Sequence, residues 1–92
     1  MKYVPYMTIG EDLEVTHSIT DEQNPDILVY FEKPDSVYFF KNATINLNKM
    51  LVINREGFDD NEMRDLVDFC RNNRQSIMRY EKEGGVYLAN NI

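Results

Sequence analysis

Residues 58–83 read FDDNEMRDLVDFCRNNRQSIMRYEKE, and this stretch decides the fold. Asp59 and Glu62 stand at the spacing of a capping box, in which each side chain satisfies the other's backbone N–H. Phe58 and Met63 flank them at the spacing of a hydrophobic staple. A helix start at Asp59 follows, and the helix is predicted over residues 60–83. Met63, Leu66, Val67, Cys70, Ile77 and Met78 recur at helical spacing, with Asn73 or Arg74 interrupting the apolar stripe. Acids fill the first half and Arg71, Arg74, Arg79 and Lys82 the second, an order that complements the helix dipole. Gly84-Gly85 is a stop signal beyond it. One amphipathic stripe needs an apolar surface to lie on, and the residues before it must supply that surface.

They read as strands. Leu13, Val15, His17 and Ile19 alternate with Glu14, Thr16, Ser18 and Thr20, the period of a half-buried strand. Ahead of it, residues 3–9 form a strand interrupted by Pro5, which suits an edge or an irregular start. Residues 21–26 are a polar turn closed by Pro25. Two dense runs, residues 27–32 and 37–41, are joined by Lys33-Pro34-Asp35-Ser36, whose proline and aspartate suit a type I turn and so a β-hairpin. Alternation continues through residue 47, and residues 50–54 form a last strand or a continuation across a bend at Asn48-Lys49. A short return strand or a tail is expected at 86–92. The reading is one α+β domain over residues 1–92: an antiparallel β-meander of four to five strands with one long C-terminal helix packed on one face.

The run EGFDDNE at residues 56–62, then Leu66, Arg71-Asn72-Asn73, Ile77, Tyr80 and Gly84-Gly85, resembles the ending of small uncharacterised bacterial or phage α+β proteins. Their endings also pass from a strand through a Gly-Phe turn into one helix. The resemblance covers the last third of the chain and implies a fold and a bacterial or phage setting, some members lying near toxin–antitoxin-type genes. It implies no catalytic residue.

Charge and composition narrow the function. The 92 residues carry a net charge of −6. The acidic balance argues against direct binding to nucleic-acid phosphates or anionic lipid. Residues 1–35 hold eight acids and two bases, and residues 36–92 hold eight of each, so the surplus belongs to the first strands and turns. One cysteine permits no internal disulfide, and one histidine leaves little for a zinc site. No apolar run approaches the ~20 residues that span a bilayer, and a cytoplasmic setting is expected.

The chemical inventory is thin. His17, on the apolar parity of its strand, is expected to fill a half-buried slot bonded to a carbonyl rather than to act as a base. Cys70, mid-helix and on the apolar stripe, lacks the helix N-terminus or adjacent histidine that lowers a thiol pKa. Asp21, Glu22 and Asp26 read as a solvated turn, and Asp59, Asp60 and Glu62 as a cap, without the pattern of a calcium loop. The four glycines form no phosphate-binding loop. The expectation is therefore no catalytic residue, no cofactor and no metal. The central hairpin is the anomaly: Ile27, Val29 and Phe31 share one parity and Leu28 and Tyr30 the other, while Val37 to Phe40 are apolar on both. A half-solvated sheet should alternate, and one helix covers one face. The other face is to be covered by the chain's own ends or by another molecule, a protein partner or a second copy in a homodimer. Tyr30, Tyr38, Phe39 and Phe40 are the candidate binding residues. The expected function is a small non-enzymatic interaction or self-association module. The alternative is an acidic mimic of nucleic acid that inhibits a phage-defence or DNA-binding protein, which requires a carboxylate row on one face, clear of the basic helix end.

Overall fold

A computed structural model describes residues 2–83. The chain runs β1 (Tyr3–Ile9), β2 (Leu13–Ser18), β3 (Leu28–Asp35), β4 (Phe39–Asn46), β5 (Leu51–Glu56) and α1 (Asp60–Lys82). The strands form one antiparallel sheet in the order β1-β2-β3-β4-β5, each paired with its sequence neighbours. The architecture is α+β, with the helix on one face. The tail expected at 86–92 lies outside the described residues.

Alternation builds the core. Val15 stands opposite Phe31, which stands opposite Ala43, and all three are buried. Val29 and Ile45 form the next buried level. From the helix, Met63, Leu66, Cys70 and Ile77 are buried against this layer, and Phe31 meets Phe69 edge-to-face at 5.8 Å between ring centres. Fully burying each large apolar side chain contributes about 1.5–3 kcal/mol. The helix starts as the capping spacing predicts: Glu62 N–H donates to Asp59 Oδ1 at 2.8 Å and Asp59 N–H to Glu62 Oε1 at 3.0 Å. Phe58 and Met63 are both buried.

The polar interruption of the stripe carries two of the hydrogen bonds that tie the helix down, one to β1 and one to the turn after β4. Tyr6 donates its hydroxyl to Asn73 Oδ1 at 3.1 Å, and Arg74 Nε donates to the Leu47 carbonyl at 3.3 Å. Tyr6 reaches the helix from a β-bulge between Pro5 and Met7, where the irregularity expected around Pro5 is taken up. Its ring packs edge-to-face against Phe69, Tyr80 and His17.

The central hairpin turns later than its sequence suggests. Pro34 lies inside β3 opposite Phe40 rather than at a turn corner, and the loop is Ser36-Val37-Tyr38. Two facts explain the shift. β3 is paired with β2 only as far as Glu32, so the proline's missing N–H breaks no β2–β3 bond. The Asp35 carboxylate accepts from the N–H groups of both Val37 and Tyr38 at 3.0 Å, closing the turn one step further on. The strand expected from residue 37 therefore begins at Phe39. A second turn, residues 47–50, separates β4 from β5 and ends on Met50 at φ 54°. The last strand is thus a new one, not a continuation.

Candidate functional site

The helix leaves one sheet face uncovered by any described residue, and the pairing registers specify its contents. One row crosses four strands as Glu14, Glu32, Asn42 and Glu56. The next holds Thr16, Tyr30, Thr44 and Asn54. These positions alternate with the buried Val15, Phe31 and Ala43, so they point away from the helix. Tyr3, Glu14, Thr16, Tyr30, Glu32 and Thr44 line a shallow concavity of about 490 Å³ on this face. Tyr3 and Tyr30 meet edge-to-face at 6.1 Å, and Tyr30 donates its hydroxyl to Glu32 Oε1 at 2.9 Å. Burial first, and then the Glu32 hydrogen bond and carboxylate charge, push the Tyr30 phenol up to about 12.

The doubly apolar hairpin thus resolves into two parts. Along the paired strands the open face is polar and aromatic, with Leu28 half-buried. The unexplained apolar residues collect at the hairpin tip, where Val37 is 78%, Tyr38 57%, Phe39 85% and Phe40 49% exposed. Phe39 adopts φ 62°, a left-handed conformation rare for a bulky side chain. Tyr38 leans over Gly57, and Phe40 shares the side of the sheet that carries Pro34 and Glu32. Of the four candidate binding residues, three are together at the tip and Tyr30 stands apart on the open face.

His17 is wholly buried, deeper than the half-buried slot expected for it. Its Nδ1 lies 3.1 Å from the Ser18 carbonyl oxygen. A carbonyl only accepts, so Nδ1 carries the proton, and Nε2 is left as a buried acceptor without a described partner. Burial lowers its pKa, against the Ser18 hydrogen bond and the Glu81 charge. Cys70 is buried, and desolvation pushes its thiol up to about 12, away from nucleophile chemistry. Among the described residues no three His, Cys, Asp or Glu side chains are placed to hold a metal, and no helix is long and apolar enough to cross a membrane.

Sequence reasoning missed the open-face rows, which depend on register across four strands, and the exposure of β5. Leu51, Val52 and Ile53 are all exposed on that edge strand.

A 4-hydroxy-tetrahydrodipicolinate reductase of Lysinibacillus sphaericus (strain C3-41) is 33% identical to this chain over 76 residues, which are 83% of the chain and 25% of the relative. The chain spans about a quarter of that relative's length. No family model matches the chain, so none supports the likeness to small bacterial α+β proteins, and no solved structure matches.

Proposed function

We propose that the chain is a non-enzymatic, cytoplasmic protein-interaction module that engages a partner protein, or a second copy of itself, through the tip of the β3–β4 hairpin. The carrying observation is the exposure of Val37, Tyr38, Phe39 and Phe40 at the tip of a hairpin whose turn Asp35 holds shut. Monomeric proteins seldom expose contiguous apolar patches of several hundred Å² without using them. Tyr and Phe carry large contact area at low entropic cost. Phe39 adds a conformational argument: holding a non-glycine residue at φ 62° costs of order 1–3 kcal/mol, a cost that aiming an aromatic ring at a partner would explain. A lone, free Cys70 suits the reducing compartment this reading assumes.

The test compares wild type with the double variant Val37→Ser/Phe39→Ser. Sedimentation equilibrium reads self-association, and quantitative capture from a host lysate reads a partner. Loss of either association, with the thermal midpoint held, supports the reading. Equal association by both proteins overturns it.

A further inference from the structure

The tip does not stand alone. Phe40 lines a depression of about 200 Å³ together with Pro34, Glu32, Glu14, Glu11 and Asp12. From there the row Glu14, Glu32, Asn42 and Glu56 runs across β2 to β5. Strands lie about 4.8 Å apart, so this row is about 14 Å long. None of the eight residues in the two open-face rows is basic. By register Lys33, Lys41 and Arg55 alternate onto the helix side, where Lys41 reaches Asp35 at 3.8 Å and Glu62 at 3.4 Å and Arg55 holds Asp60 at 2.8 Å.

Such an arrangement works against the isolated protein. Glu14 and Glu32 are directly opposed, and like charges in that relation destabilise a sheet. Tyr30 quiets one of them, and Glu56 turns to Asn42 at 3.2 Å, but neither bond neutralises a charge. A cation would. The rings of Tyr3, Tyr30 and Phe40 beside the carboxylates add flat π faces on which a guanidinium stacks. The depressions are shallow and open, suited to side chains presented by a surface rather than to an enclosed small molecule.

We propose that the open face and the hairpin tip form one docking surface, and that its occupant is an arginine- or lysine-bearing segment of another protein. This inference rests on the interaction-module reading and names the chemistry of the partner. The tip supplies apolar contact and the row supplies charge. The carboxylate row stands on the face opposite the helix, and so apart from Arg71, Arg74, Arg79 and Lys82 of its basic half.

Fluorescence anisotropy with three labelled nine-residue peptides tests it: alternating Arg-Ala, alternating Lys-Ala and alternating Asp-Ala. The two cationic peptides are expected to bind at low salt, the arginine one tighter, and the acidic one not at all. Glu14→Gln/Glu32→Gln is expected to weaken arginine-peptide binding about tenfold or more. Glu22→Gln/Asp65→Asn removes the same charge from exposed positions elsewhere and is expected to change it less than about twofold. Equal weakening by the two double variants would reduce the effect to net charge and overturn the proposal, as would arginine binding no tighter than aspartate. If Val37→Ser/Phe39→Ser abolishes a natural association while cationic peptides ignore the open face, the module reading stands and the basic occupant falls.

Discussion

Gly57 is a single residue on which the entry to the helix depends. Its φ is 86°, and a Cβ built there would stand 2.8 Å from Lys41 Cγ and 3.3 Å from the Tyr38 ring. Gly57→Ala therefore combines backbone strain with a contact that must move. It is expected to lower stability by about 1–2 kcal/mol, read as a shift in urea midpoint at unchanged slope. His17 makes a second residue-scale prediction. Its pKa is lowered in the folded protein, so the unfolded chain takes up the proton first as pH falls. Stability from this group is complete above the unfolded value of about 6.5 and declines between there and its lower folded value. His17 is the one histidine in the chain, so His17→Phe is expected to flatten the stability profile between pH 7 and 5. A wild-type curve already flat in that window would contradict this account.

At the scale of elements, what the sequence disclosed and what it withheld divide by the range of the interactions. The capping box of α1 depends on residues three apart, and Asp59, Glu62, Phe58 and Met63 all occupy their expected positions. Asp59→Ala removes an acceptor for a helix N–H and is expected to cost about 1 kcal/mol, measured by thermal melting. The hairpin turn was less legible. Lys33-Pro34-Asp35-Ser36 is locally a sound turn, but the end of β2 pairing at Glu32 and the two amide bonds to Asp35 decide where the chain reverses. The open-face rows were hidden for a related reason. Which of Glu14, Glu32 and Glu56 become neighbours depends on the register of three strand pairs, and a slip of one residue would send each to the other face. The roles of Asn73 and Arg74 were likewise invisible, because their partners Tyr6 and Leu47 lie 67 and 27 residues away in sequence.

For the whole molecule, one face of the sheet does nearly all the holding. Ile77 is fully buried near the far end of α1, and with Cys70 and Leu66 it ties the helix to the sheet. Ile77→Ala is expected to cost about 2–5 kcal/mol, visible in chemical denaturation as loss of the helix and sheet signals together. The open face contributes little to that core, so Glu14→Gln/Glu32→Gln should leave the fold intact and raise the thermal midpoint slightly as the opposed charges disappear. β5 is the weak margin: Leu51, Val52 and Ile53 lie exposed on an edge strand. Val52→Lys places a charge on that edge and is expected to reduce association at high concentration, followed by light scattering.

The strand order β1-β2-β3-β4-β5 also says something about time. Each strand after the first pairs with the one made just before it, so each hairpin closes a short loop and little chain entropy is lost at once. Such a sheet can assemble by successive zipping, and topologies rich in local pairings cross their folding barriers quickly compared with sandwiches and barrels. In that order the long-range step would fall to α1, whose native contacts are with Tyr6 and the buried face of the sheet. Mutations in the first hairpins should therefore slow folding, while those at the helix–sheet contact should chiefly hasten unfolding.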